Sequence, residues 1–538
     1  MDADVIVIGG GPAGSSAATM LTRMGWNVIL LERERFPRDH VGESLLPASL
    51  PILEELGVLR TVAAEGFTEK YGATMVWGAG NERWSWHFSE TNKPNPHAYQ
   101  VWRPRFDQIL LENAATNGVD VRQQHRVVEV DIGGQEEMAV RVANDDGERV
   151  LRARFLVDAS GQSGLIVRKL GLREDDPDFQ NLAVYAYYEG AERLPAPDTG
   201  NIFIESYEHG WFWNIPLHNG LMSVGAVVDH RLGTEGIREH GLEDFFERQV
   251  ADAPHTAAML REARRTASPA VIRDWSYSAS QVVGDGWIVA GDAACFIDPL
   301  FSTGVHLALS AGVMAAAYVT TALTDPELAA AARPVYKDLY YSQYDLFRQL
   351  ARLFYSTNRS VDSYFWETRR ITGADESLSP RSAFIRAVAG QPPKGYERAV
   401  LRRGEIPGAL RSGVDEIGAA RKARSERYRS LLAPNSSGLP PIFGATPAPA
   451  AGARVERRPV LGAGRFEWGH VLVSDERPEG TDVSPLVALL LASCDGQQTV
   501  TGVIGTLAER TGRAPQEMAS AVIQALGILY TDGAVDLA

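Results

Sequence analysis

The apolar positions near the start of the chain fall in two unbroken blocks, Val5–Ile8 and Val28–Leu31, separated by a segment rich in Gly, Ala and Ser. Continuous apolar runs of that length predict parallel strands covered on both faces. Strands are also predicted in RARFLVDASG (152–161) and GWIVAGD (286–292), each running into a turn of small and acidic residues. The most apolar long stretch, ALSAGVMAAAYVTTAL (308–323), is short for a membrane span and carries Ser and Thr, which predicts a buried helix. Residues 210–217, GWFWNIPL, alternate: Trp211 and Trp213 share one face of a strand, and Pro216 ends it or marks an edge. Between 334 and 369, Tyr336, Tyr340, Tyr344 and Phe347, then Leu350, Leu353 and Phe354, recur at helical spacing. Residues 434–453 are rich in Pro, Gly, Ala and Ser and read as a linker. Beyond it, three short helices and a final strand are predicted, an outline similar to a small winged-helix module.

Length adds that 538 residues suit two or three domains. A hydrophobic share of 45% and a charged share of 22% are those of a folded globular protein. The net charge of −15 argues against nucleic acid as a partner, because phosphate binding needs a basic surface. One local exception is the basic run over 401–430, with Arg402, Arg403, Arg411, Arg421, Lys422, Arg424, Arg427 and Arg429. A solvated helix face or a docking site for an acidic carrier protein both fit it. The two cysteines, Cys295 and Cys494, are far apart, so a thiol-keeping cytoplasm is expected. The opening MDADVIVIGGG has no basic leader and reads as a strand, not a signal peptide. The scattered histidines predict no metal site.

The first chemistry is the turn between the two opening strands. Gly9, Gly11 and Gly14 form G-x-G-x-x-G, and Glu32 follows the second strand. Gly9 permits the tight turn, Gly11 lets the backbone approach a pyrophosphate, and Gly14 allows close packing of the helix. The helix N-terminus offers free N–H groups to the phosphates, and the carboxylate of Glu32 can accept from a ribose.

Taken with RARFLVDASGQSG (152–164), GWIVAGDAACFIDPLFSTGVHLALSAG (286–312) and WRPRFDQILLENA (102–114), this order resembles the FAD-dependent monooxygenase-like enzymes. The resemblance implies an α/β (α+β) fold: a Rossmann-like FAD-binding domain with an interleaved β-sheet substrate domain. FAD segments are expected at 1–50, 100–165 and 280–330, and the substrate-side sheet at 66–99 and 180–280. A helical region at 331–433, the linker and the small module at 454–538 complete the expected plan. The resemblance places Asp292 on the ribityl chain and Arg105 against the FAD. It also puts Pro12, Ala13, Arg33, Asp158, Gly291, Pro299, Gly304 and Val305 around the cofactor.

The pattern W-x-W-x-I-P, met by Trp211, Trp213 and Pro216, is the signature of flavin-dependent halogenases. The chain resembles the chondrochloren, chloramphenicol and enediyne types of secondary metabolism. That likeness implies a tryptophan wall that keeps organic substrates off the flavin. It implies that Lys70 holds electrophilic chlorine, as hydrogen-bonded hypochlorous acid or as a chloramine. Thr303 and Gly304 would cradle chloride, and Gly42, Glu43 and Ser44 would lie near the flavin. Reduced FAD would come from a partner flavin reductase. Halogenases acting on free tryptophan carry a glutamate where this chain has Phe301, so a more activated ring is expected, such as a phenol or pyrrole: a tyrosyl-like or other phenolic thioester on a carrier protein is favoured, and a polyketide-derived phenol is the competing substrate. The alternatives are a flavin hydroxylase of the same superfamily and a non-catalytic carrier-binding scaffold.

Overall fold

The structure, a computed structural model, describes residues 1–78, 82–134, 137–356, 368, 379–390, 419–434, 438–474 and 477–538. It divides into two units: Met1–Pro326 with Tyr336–Ala374 and Pro380–Pro393, and Glu327–Val335 with Asp375–Ser379 and Lys394–Ala538.

The first unit opens with β1 (Ala3–Ile8), α1 (Pro12–Arg23) and β2 (Val28–Leu31). Proline at the first helical position suits α1, because the missing N–H has no partner in a first turn. Two short strands, β3 (Thr68–Lys70) and β4 (Gly72–Val76), precede β5 (Ala98–Gln100), α2 (Arg103–Thr116) and β6 (Gly147–Asp158). Then come β7 (Arg173–Glu189), β8 (Ile202–Tyr207), β9 (Gly210–Pro216), β10 (Leu221–Asp229), β11 (Ala270–Ala279) and β12 (Trp287–Val289). Helices α3 (Gly304–Thr324) and α4 (Pro326–Ser356) follow.

These strands form two main sheets. In the first, β12, β6, β1 and β2 run parallel, with Val5 opposite both Phe155 and Val28. Every residue of β1 from Val5 to Ile8 is buried, as sheet strands covered on both faces must be. The second sheet orders β11, β7, β10, β9, β8 and β4 side by side, and its pairings are antiparallel except β8 with β4. A third, two-stranded ribbon joins β3 to β5.

Helix α3 is the one described helix long and apolar enough to cross a membrane, and it is packed inside the first unit. It lies against α1 so closely that a Cβ on Gly312 would sit 2.3 Å from the carbonyl oxygen of Ala13. Small residues are therefore required at that crossing. The later half of α4 also belongs to the first unit, so 331–433 is not a separate helical region. Its tyrosines reach back: the hydroxyls of Tyr340 and Tyr344 donate to the carbonyls of Gly291 and Tyr277 at 3.0 Å each.

In the second unit the expected linker is part of the fold. Ile442 is fully buried, and β13 (Pro447–Pro449) pairs with the last strand of the chain. An antiparallel sheet of β14 (Arg454–Leu461), β15 (Phe466–Ser474) and β16 (Arg477–Val483) comes next. Three helices follow, α5 (Pro485–Ser493), α6 (Val500–Thr511) and α7 (Pro515–Thr531), then β17 (Val535–Leu537). Because β17 pairs with β13, ahead of the helices, it does not form the hairpin wing of a winged helix. The basic run is largely outside the described residues: Arg402, Arg403 and Arg411 lie there, as do the side chains of Arg421 and Lys422. Arg424, Arg427 and Arg429 stand on the helix Ala419–Leu432, and Arg424 donates to the carbonyl of Tyr530.

Candidate functional site

A cavity of about 1030 Å³ opens between the two sheets of the first unit. That is the upper end of the range for small-molecule sites, as a dinucleotide requires. Its wall takes Gly9, Gly11, Pro12 and Ala13 from the β1–α1 turn, and Glu32 and Arg33 from the end of β2. Glu43 and Ser44 line it, as do Trp211 and Trp213. Asp292, Pro299, Thr303, Gly304 and Val305 close the far side.

The glycine turn has the backbone it needs. Gly9 has φ +104°, and a Cβ there would meet the carbonyl oxygen of Ala159 at 2.3 Å. Over Gly11 the space is open, the nearest atom to a built Cβ being Arg38 Nη2 at 3.5 Å. Glu32 is fixed by two backbone donors, Gly10 N–H at 2.6 Å and Glu34 N–H at 2.8 Å. Each carboxylate oxygen keeps a second lone pair for a ribose hydroxyl. Arg38 lines the cavity with a buried Nη1 that has no hydrogen-bond partner. An unfilled guanidinium donor beside an open glycine turn and a helix N-terminus fits a pyrophosphate. The residues present therefore suit FAD.

Four of the residues assigned to the cofactor stand off the wall. Gly14 packs instead: a Cβ would lie 1.9 Å from the carbonyl oxygen of Gly9. Asp158 is fully buried and spends its oxygens on the N–H groups of Ser160 and Ile166, which caps the turn after β6. Gly291, at φ +64°, turns the chain beside Ala13 and delivers Asp292. Burial pushes the carboxyl of Asp292 up to about 6, against the pull of Arg103.

Arg105 is the clear correction. It points away, to Glu65 at 2.7 Å and Glu112 at 3.3 Å. Arg103 takes the cavity side: it is buried, clamps Asp107 with two 2.8 Å bonds and donates to the carbonyl of Val41 at 2.7 Å. Two positions on a helix are about 200° apart, so only one arginine of W-R-P-R can face the cavity. Arg103→Ala should cost about 3 kcal/mol, because it leaves the buried charge of Asp107 with Arg38 alone, 3.4 Å away. Arg105→Ala should cost about 1 kcal/mol or less and leave flavin retention unchanged. Denaturant unfolding and flavin absorbance per protein check both.

Trp211 and Trp213 stand side by side on β9, 2% and 4% exposed, ring centroids 6.1 Å apart. Phe212 faces the other way and packs on Phe246. Pro216 is the last residue of β9, paired with Met222 of β10. Trp213 needs Gly225 opposite it, since a Cβ there would come within 2.1 Å of the indole. Its Nε1 donates to Ser223 Oγ at 3.2 Å. Trp211 Nε1 donates to the hydroxyl of Tyr355 in α4, which donates to Asp298 Oδ2 at 2.5 Å. Asn181 also donates to Asp298, at 3.2 Å. No local pattern marks Gly225, Ser223, Tyr355 or Asn181 in the sequence.

Lys70 is 2% exposed and does not reach the cavity wall itself. Its Nζ donates to Ser44 Oγ at 2.8 Å and to the carbonyl of Leu45 at 3.1 Å, and lies 5.5 Å from the Phe88 ring. Burial lowers its pKa to about 7. Glu43, beside Ser44, is fully buried, accepts from the Tyr187 hydroxyl at 2.8 Å and is pushed up to about 7 by burial.

On the far side, Asp298 Oδ1 caps Leu300 N–H at 3.0 Å. Ser302 sits at φ +59°, and Thr303 is the N-cap of α3 with no side-chain capping bond. The first N–H groups of a 21-residue helix are thus left for an outside acceptor, and nothing lies within 4 Å of a Cβ built on Gly304. Phe301 packs edge-on against Phe354, centroids 5.1 Å apart.

Fold and cavity together define an FAD-dependent oxidoreductase, and residues 4–170 match the family model described as FAD dependent oxidoreductase. Residues 90–398 match the model described as Tryptophan halogenase, and the chain belongs to that family of flavin-dependent halogenases. It is 34% identical over 371 residues to the tryptophan 2-halogenase of Chondromyces crocatus, which covers 68% of this chain and 70% of the relative. It is 30% identical over 391 residues to the 1H-pyrrole-2-carbonyl-[peptidyl-carrier protein] chlorinase of Pseudomonas fluorescens, 68% of this chain and 87% of that one. Among solved structures, the myxobacterial chondrochloren halogenase matches with a TM-score of 0.64 and 40% identity, over 73% of this chain and 90% of that one. The flavin-dependent halogenase CmlS matches with a TM-score of 0.71 and 26% identity, over 99% and 96%.

Proposed function

We propose that the protein chlorinates an electron-rich phenolic ring, presented as a tyrosyl-like group on a carrier protein, in the synthesis of a secondary metabolite. Bound reduced FAD, supplied by a partner reductase, gives with oxygen the oxidising power that turns chloride into hypochlorous acid. Thr303 and Gly304 hold chloride at the α3 N-terminus, where the helix dipole and free N–H groups favour an anion. Trp211 and Trp213 bar an organic ring from the flavin side. Lys70 receives the chlorine and presents it at one place, which turns a diffusing oxidant into a regioselective one. The observation that carries this reading is the burial of Lys70 beside the tryptophan-walled cavity, with its amine tied to the cavity residue Ser44. A buried lysine without a carboxylate partner is costly unless its neutral amine is used.

The substrate class rests on Phe301. An aromatic ring there offers no carboxylate to assist a weakly activated indole, so the ring must bring its own activation. Carrier tethering rests on the relative that acts on a carrier-bound pyrrole-2-carbonyl group. The test incubates tyrosyl-loaded carrier protein and, separately, free tyrosine with enzyme, FAD, a flavin reductase, NADH, oxygen and chloride. A chlorine isotope doublet in the mass spectrum of the loaded carrier, stronger than on free tyrosine, is the expected result. A gain of oxygen instead would make the chain a hydroxylase. Chlorination of free tyrosine alone would remove the tethering.

A further inference from the structure

The two-stranded ribbon of β3 and β5 has a third member. Ser44 forms an antiparallel bridge with Gln100 of β5, on the opposite side from β3. Around that bridge Leu45 N–H donates to the carbonyl of Tyr99 at 2.9 Å, and Val101 N–H donates to that of Glu43 at 2.7 Å. On the other side Lys70 is paired with Ala98. The segment 43–45 and the strand carrying Lys70 are therefore pinned to the same central strand, so the distance between Ser44 and Lys70 is set by backbone hydrogen bonds. Across it, Lys70 Nζ meets two acceptors, Ser44 Oγ at 2.8 Å and the Leu45 carbonyl at 3.1 Å. Ser44 lines the flavin cavity and Lys70 does not.

We infer that Ser44 is a positioning residue for halogen transfer: its hydroxyl and the Leu45 carbonyl hold the two N–H bonds of the Lys70 amine, so that the nitrogen lone pair keeps one fixed direction for the incoming chlorine. The inference rests on the role proposed above for Lys70. A neutral amine has two N–H bonds and one lone pair on a tetrahedral nitrogen, so fixing both hydrogens fixes the lone pair. Burial favours that neutral form. In the step itself the lone pair attacks the chlorine of hypochlorous acid. The N–Cl bond forms as the Cl–O bond breaks, and the departing hydroxide takes one amine proton away as water. Chlorine(I) passes from oxygen to nitrogen with no net change of oxidation state, so no further oxidant is needed. With the Ser44 hydroxyl removed, one N–H is released, the amine rotates about its last bond, and the lone pair is no longer presented in one direction.

The test needs no organic substrate. Holoenzyme is run with reductase, NADH, oxygen and chloride, passed through a desalting column, and titrated with a chromogenic thiol for oxidising chlorine retained per flavin turned over. Wild type should retain chlorine, and Lys70→Ala should retain about a tenth or less of it. Ser44→Ala should fall about tenfold as well, and Ser44→Thr, which restores a hydroxyl at the same atom, should recover most of the signal. Wild-type retention in Ser44→Ala would overturn the inference and leave the Lys70 role intact. Equal loss in Ser44→Ala and Ser44→Thr would assign the effect to packing and overturn it too. Wild-type retention in Lys70→Ala would remove the Lys70 reading and this inference with it.

Discussion

Replacing Lys70 by alanine should remove chlorination of an aromatic substrate by roughly a hundredfold or more, while NADH-driven flavin turnover continues. On the function proposed above, the two halves of the reaction are separated in space. The residues proposed to cradle FAD line the cavity, whereas Lys70 lies behind its wall and meets it through Ser44. Lys70→Met keeps the apolar stem and removes the amine, and it should behave as the alanine variant does. The pH profile sharpens the test. The folded pKa of Lys70 is lowered to about 7, so below that pH the group is an ammonium without a lone pair. Product per flavin turned over should rise about tenfold for each pH unit on the acid side and level off above about 7. Glu43 is pushed up to the same region, so the profile is also taken in Glu43→Gln. A limb that survives in Glu43→Gln belongs to Lys70. A limb that disappears there belongs to Glu43, and chlorination retained in Lys70→Met would end the chloramine route.

The parts of this site that were legible in the sequence are those whose chemistry needs a local backbone pattern. Gly9, Gly11 and Glu32 are set by one strand–turn–helix–strand unit, and the structure puts all three on the cavity wall. Trp211 and Trp213 obey the two-residue repeat of a strand, which fixes their common face without knowledge of the neighbours. Arg103 shows the limit of such reading. The motif supplies two arginines two positions apart, and only the packing of α2 decides which one turns inward. Tyr355 and Asp298 were beyond reach for another reason. The hydroxyl of Tyr355 meets Trp211, 144 positions away, and Asp298, 57 away, so no window along the chain contains the contact. The linker was misread through composition. Its prolines and glycines suggest mobility, but Ile442 within it fills the core of the second unit, and Pro447–Pro449 forms a two-stranded pairing with Val535–Leu537.

Gly14→Ala should yield protein without FAD. The substitution adds one methyl group to a helix of good formers, and helix propensity alone would favour alanine by about 1 kcal/mol. Geometry decides against it. The new Cβ would lie 1.9 Å from the carbonyl oxygen of Gly9 and 3.0 Å from its carbonyl carbon. Both are backbone atoms, so no side chain can swing aside. Gly9 cannot retreat either, because its own Cα faces the carbonyl of Ala159, and a Cβ there would be only 2.3 Å away. Relief must come from α1 lifting off the end of β1. On its other side α1 is held against α3, where Gly312 leaves no spare space beside Ala13. The helix N-terminus would then leave the position from which its N–H groups are expected to meet the pyrophosphate. Flavin absorbance per protein should drop to background, and the dissociation constant for FAD should rise a hundredfold or more, about 2.7 kcal/mol. Gly505→Ala is the control, a helical glycine away from the cavity with nothing within 4 Å of its built Cβ, and it should keep the flavin. Stoichiometric FAD in Gly14→Ala would mean that the β1–α1 turn tolerates a shift of more than an ångström, and that the glycine triad is not what holds the pyrophosphate.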